Sequence, residues 1–134
     1  MPADAPYLSV CTTSTHDMNP IRAWWEEDPA LTQRFYNRAL KIQGPAPEKC
    51  DALIAEKIID QHLHSSAMLV ILPWQDWMAM DNKLCLKNPN AERINVPSNP
   101  RNFWCYRMHL TLEKLLSEKK FNSKIKKMIA VSGR

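Results

Sequence analysis

Apolar residues fall along the chain in short groups separated by proline-rich turns, and each group predicts an element. Tyr7-Leu8-Ser9-Val10-Cys11 is β-prone, and the hydroxyl-rich Thr12-Thr13-Ser14-Thr15-His16-Asp17 after it reads as the loop leaving a strand. Asn19 followed by Pro20 predicts a helix through Trp25, with Asn19 as its N-cap, because proline in the first turn loses no hydrogen bond. Asp28-Pro29 predicts a second helix, to about Leu40, that carries Leu31, Phe35 and Ala39 on one side and stops before Gly44-Pro45-Ala46-Pro47. Over residues 48–64, Cys50, Leu53, Ile54 and Ile58 form one stripe of an amphipathic helix. Residues 67–72 are continuously apolar and end at Pro73, the pattern of a strand buried on both faces of a parallel sheet. Residues 81–105 have no periodicity. Residues 108–118, with Leu110, Leu112, Leu115 and Leu116, predict a helix, and residues 121–131 a shorter basic one.

Strand, helices, strand is the order of an α/β fold with parallel strands, in which reactive groups collect at the strands' C-terminal ends. Both ends carry polar chemistry here. His16-Asp17 follows the first and sets an imidazole beside a carboxylate, a donor and an acceptor at fixed separation. The plainer alternative is that Asp17 or Asn19 only caps a helix. Trp74-Gln75-Asp76-Trp77 follows the second, where an amide and a carboxylate either bind substrate hydroxyls or open a helix. Arg93, Asn95, Asn99, Arg101 and Asn102, interrupted by Pro97 and Pro100, form either a loop held over a cleft or a surface loop capped by its own side chains. Trp24-Trp25 offers sugar-stacking faces or core anchors, and Met68, Met78, Met80 and Met108 read as core filling. His62 and His64, about 200° apart on a helix, are no metal pair. The residues alone therefore outline a cleft for a carbohydrate or another polar ligand.

Composition narrows the class. In 134 residues the chain has 45% hydrophobic and 24% charged residues, which excludes intrinsic disorder and fibrous repeats. No apolar run approaches the about 20 residues that cross a bilayer, and Met1-Pro2-Ala3-Asp4 lacks the features of a secretory signal, so a cytoplasmic protein without a membrane partner is expected. Cys11, Cys50, Cys85 and Cys105 form no C-x-x-C pair, so no zinc site is encoded locally and reduced thiols are expected. The net charge of +4 is uneven: −1 over residues 1–46, −3 over 47–80 and +8 over 81–134. Lys119, Lys120, Lys124, Lys126 and Lys127 read as a solvated helix face rather than a nucleic-acid surface.

Four ordered motifs resemble a known family. They are Cys11-Thr12-Thr13-Ser14-Thr15-His16-Asp17-Met18, Arg22-Ala23-Trp24-Trp25-Glu26-Glu27-Asp28, Leu72-Pro73-Trp74-Gln75-Asp76, and the run from Glu92-Arg93-Ile94-Asn95-Val96-Pro97 to Phe103-Trp104. Nearly the whole chain resembles the C-terminal part of 4-alpha-glucanotransferases, the amylomaltase or disproportionating enzymes of glycoside hydrolase family 77. The likeness is strongest to the branch of Bacteroides-type bacteria and the plant cytosolic enzyme. The resemblance implies retaining transfer of α-1,4-glucan segments between maltooligosaccharides or to glucose, in starch or glycogen metabolism, without a cofactor or metal. It implies a (β/α)8 TIM barrel of which this chain is the C-terminal portion: about two parallel strands with helices, mostly helical in isolation, and a single incomplete domain over residues 1–134. Asp17 would be the catalytic carboxylate that stabilises the transition state, His16 would bind the same sugar, and Gln75, Asp76, Asn95 and Pro97 would line the substrate site. Retaining chemistry also needs a nucleophile and an acid/base carboxylate about 5 to 5.5 Å apart. In the family both stand upstream of the Thr-His-Asp motif. The chain alone is therefore expected not to catalyse, with the N-terminal part of the barrel as its partner. The alternative is a remnant that binds glucan without breaking it.

Overall fold

The two segments predicted as strands lie side by side in the computed structural model, which describes residues 1–134. Strand β1 (Val10–Cys11) pairs in parallel with β2 (Leu69–Val70), Val10 facing Leu69 and Cys11 facing Val70. Bonds from the Met68 N–H to Tyr7 O at 2.7 Å and from the Ile71 N–H to Cys11 O at 3.0 Å extend the pairing at both ends. Three helices connect the strands: α1 (Ile21–Glu27), α2 (Pro29–Arg38) and α3 (Ala52–Leu63). After β2 come α4 (Trp74–Met78), a single 3-10 turn at Pro89–Glu92, α5 (Leu112–Ser117) and α6 (Lys119–Val131).

Local chemistry sets most of these boundaries. The Asp28 carboxylate accepts the N–H groups of Ala30 and Leu31, and Pro29 occupies the first turn where no donor is needed. The α2–α3 connection takes Lys41 to φ 58° and continues through Gly44 at φ 94°, a left-handed value that glycine adopts without strain. Asp51 caps α3 through the Ile54 N–H at 2.8 Å. Asn19, the expected cap of α1, caps nothing: Pro20 stands at that position, and the Ile21 N–H goes instead to the Asp76 carboxylate 55 residues away.

The core forms around α3, whose Ile54, Ala55, Ile58, Ile59 and Leu63 pack with Trp25, Met78, Ala79, Met80, Leu84 and Phe121. Trp25 meets Phe35 and Tyr36 edge to face, and its indole N–H donates to Pro47 O, so it anchors the core. Helix α3 starts at Ala52, later than its apolar pattern suggests, and Leu53 points outward at 69% exposure. The inward stripe instead runs through Ala55 and Ile59, and Cys50 is buried just ahead of the helix. Residues 108–110 are not helical, because α5 begins only where the Thr111 hydroxyl accepts the Lys114 N–H, and Leu112 and Leu116 face outward. Helix α6 is the longer of the two, with 13 residues, and it buries Phe121 against Trp74.

The expectation of a strand buried on both faces is corrected. Ala67 is buried, but Leu69 is half-exposed and Ile71 is 61% exposed, because no further strand or helix of this chain covers them. Tyr7, Leu8, Val10, Met18 and Met68 are exposed as well. At the far end of the chain the Arg134 guanidinium donates to the carbonyls of Leu63, Ser65 and Ala67, tying the end of α6 to the turn that leads into β2. No helix is long and apolar enough to cross a membrane.

Candidate functional site

The loop leaving β1 turns back on itself, with the Met18 N–H donating to Thr15 O at 3.1 Å, and this presents His16 and Asp17 side by side. The His16 Nε2 lies 3.4 Å from Asp17 Oδ2, and both side chains are half-exposed. The segment after the Pro89–Glu92 turn comes back over this loop. Its Asn95 donates Nδ2–H to Asp17 Oδ1 at 2.6 Å, and the Asn95 backbone N–H donates to His16 O at 3.1 Å. Asn102 donates in turn to Asn95 Oδ1 at 2.8 Å, and Arg93 Nε–H donates to Asn95 O at 2.7 Å. With its carbonyl oxygen occupied by Asn102, the Asn95 amide presents its N–H₂ to the carboxylate. The arrangement thus holds one Asp17 oxygen and leaves a half-exposed carboxylate able to accept hydroxyl groups.

Trp104 closes one side of the site. Its ring lies 4.6 Å from that of His16, tilted by 46°, and the residue is 62% exposed. Pro97 is exposed on the same returning loop, where turns from Asn99 N–H to Val96 O and from Asn102 N–H to Asn99 O define the backbone path.

Gln75 and Asp76, in the first turn of α4, are buried beneath this surface. Asp76 is 0% exposed, and its oxygens accept from the Thr13 hydroxyl at 2.5 Å, the Ser14 hydroxyl at 2.9 Å and the Ile21 N–H at 2.8 Å. Gln75 is buried and donates to Glu92 O at 3.3 Å. Between them and the His16 loop is a recess of about 30 Å³ bounded in part by Ser14, His16, Gln75 and Glu92, room for about one water. Burial pushes the Asp76 carboxyl above the usual carboxylate range, opposed by the bonds from Thr13, Ile21 and Ser14.

Glu92 is a second buried carboxylate, and the sequence carries no sign of it. It is 0% exposed, accepts the Leu86 N–H at 2.8 Å and pairs with Arg22 Nη1 at 3.3 Å, while Arg22 also donates to Leu86 O. Burial raises its proton affinity, opposed by the Leu86 N–H and the Arg22 charge. This pair fixes the root of the loop that carries Asn95. No group of three or more His, Cys, Asp or Glu side chains is arranged to hold a metal ion.

Comparison with known proteins places this geometry in a family: residues 1–112 match the family model described as 4-alpha-glucanotransferase. The chain belongs to the 4-alpha-glucanotransferase family. It is 37% identical over 134 residues to 4-alpha-glucanotransferase DPE2 of Oryza sativa subsp. japonica, covering 100% of this chain and 14% of the rice protein. It is 32% identical over 123 residues to the 4-alpha-glucanotransferase of Chlamydia pneumoniae, covering 91% of this chain and 23% of that one. The chain therefore spans a quarter or less of the length of these two glucanotransferases. All of it superposes, with a TM-score of 0.71 and 18% identity, on 23% of the amylomaltase from Streptococcus agalactiae in complex with acarbose. The two parallel strands and their helices thus have the α/β fold of one part of an amylomaltase.

Proposed function

We propose that this chain is the C-terminal part of a (β/α)8 catalytic barrel that transfers α-1,4-glucan segments between maltooligosaccharides with retention, acting on starch- or glycogen-derived glucan in the cytoplasm. Residues 1–134 form one incomplete domain in this reading. Asp17 binds hydroxyls of the sugar next to the scissile bond and stabilises the oxocarbenium-like transition state, where a bond that strengthens as charge develops supplies several kcal/mol. His16 donates to the same sugar. Asn95 fixes the Asp17 carboxylate, and Pro97 shapes the loop that delivers Asn95. Gln75 and Asp76 serve the site from beneath. The nucleophile and the acid/base belong to barrel strands outside this chain, and the exposed faces of Val10, Leu69 and Ile71 are where those strands would pack.

One observation carries the reading: Asn95 hydrogen-bonds Asp17 across 78 positions of sequence, so two of the family's motifs meet at one half-exposed carboxylate. The test is to co-express the chain with the complementary N-terminal part of the rice relative and assay maltotriose disproportionation. Activity is expected only for the pair, and Asp17→Ala should lower kcat by roughly 10³-fold or more. Full activity of the Asp17→Ala pair would sink the assignment. Saturable maltoheptaose binding by the chain, with no product from a properly assembled pair, would favour a glucan-binding role instead.

A further inference from the structure

We infer that Asp76 is a positioning residue for His16 and Asp17: one buried carboxylate that clamps both ends of the turn carrying them. This rests on the proposed role of that turn in glucan chemistry, and it assigns the job to a residue of the other strand's exit. Thr13 and Ser14 lead into the turn and Ile21 leaves it. Asp76 Oδ2 accepts from the hydroxyls of the first two, and Oδ1 accepts from the backbone N–H of the third. Of the side-chain hydrogen bonds that reach α4 from this stretch, all three go to Asp76 from residues flanking the turn.

The chemistry favours a clamp over filler. A buried carboxylate without a cationic partner persists only where its lone pairs are taken up, and here two side-chain hydroxyls and a main-chain donor take them. The α1 donor has nowhere else to go, because Pro20 and Asn19 do not cap it. From above, only Asn95 and Trp104 hold the turn, and both come from the irregular segment. Asp76 is therefore the tie between the turn and the rigid part of the fold. If it is lost, His16 and Asp17 can drift relative to β2 while the core around α3 stays intact.

The experiment is NMR on the chain, comparing wild type with Asp76→Ala below their melting temperatures. Loss of the clamp should abolish the His16–Trp104 ring cross-peak and move the Asn95 side-chain amide signals. The His64 signals, held by Asp60 at the far end of α3, should stay in place. Asp76→Asn, which keeps its shape and an acceptor for Ile21, should move the same signals less. A folded Asp76→Ala with unmoved His16 and Asn95 signals overturns the inference, whatever its melting temperature, since a brace of the fold alone would not move them. Where Asp76→Ala fails to fold, Thr13→Val decides: it keeps the carboxylate and the Ile21 bond, and unmoved signals again overturn the clamp. Maltoheptaose titration of the same variants, each assembled with the complementary N-terminal part of the rice relative, separates the two levels. The affinity of Asp76→Ala should fall about tenfold, the worth of one lost hydrogen bond. Moved signals with unchanged affinity overturn the link to glucan. A wild-type assembled pair that binds no glucan overturns the functional reading, while the spectra still decide the clamp.

Discussion

Carboxylates of this chain divide by where their charge is satisfied. Asp17 is half-exposed and shared with His16 and Asn95, whereas Asp76 and Glu92 are fully interior. The His16-Asp17 pair is readable from sequence because adjacency alone sets its geometry. Glu92 is not, since its partner Arg22 lies 70 positions away and only the folded chain brings them together. Arg22→Met should leave Glu92 buried without its cation and cost about 3 kcal/mol in urea unfolding. Because burial raises the Glu92 pKa, the folded state binds its proton more tightly than the unfolded chain does. Its contribution to stability is therefore largest below the ordinary carboxylate range and is lost as pH rises through the raised value. Arg22→Met should deepen that loss, visible as a steeper fall in melting temperature between acid and neutral pH. Cys50 obeys the same logic at the alkaline end: burial, with Asp51 adding to it, pushes its thiol far up. Iodoacetamide at neutral pH should label the exposed Cys105 at once and Cys50 only on unfolding, by mass spectrometry.

Helices and strands were readable to different degrees for a physical reason. Helix α2 carries its own start signal, Asp28-Pro29, and α3 its apolar stripe, so their existence follows from local sequence even though that stripe misplaces Leu53 and does not mark the Asp51 cap. Asp51→Ala should lower stability by about 1 kcal/mol, measured by thermal unfolding, because the Ile54 N–H loses its acceptor. Strand β2 was readable as a strand but not in its burial, since burial depends on neighbours that the chain does not contribute. Ile71→Thr should accordingly change the isolated chain's stability by less than about 0.5 kcal/mol. The same substitution should weaken assembly with the complementary barrel part, read as a higher concentration needed for half-maximal complementation. Helix α1 lies between these cases, because its cap comes from Asp76 across space and no window of sequence around Pro20 contains it.

At the scale of the whole molecule, the packed body is helical and centred on α3, and the candidate site sits on its edge. Cores of this kind open last and edges first, so amides of α3 should be the slowest to exchange with deuterium and those around Leu69 and Val70 among the faster ones. The sequence motifs contain His16, Asp17, Asn95 and Trp104 but not their contacts, which come from the returning loop that brings Asn95 and Trp104 onto the His16-Asp17 turn. Which of them would be interior was not readable, because residues 81–105 have no period from which an inside face can be deduced. The guanidinium of Arg134 adds a different kind of dependence. Arg134→Ala removes the donor shared by Leu63, Ser65 and Ala67, so the turn leading into β2 loses its tie to α6 while the hydrophobic centre is untouched. Such a variant would lose sheet order while giving the same helical signal.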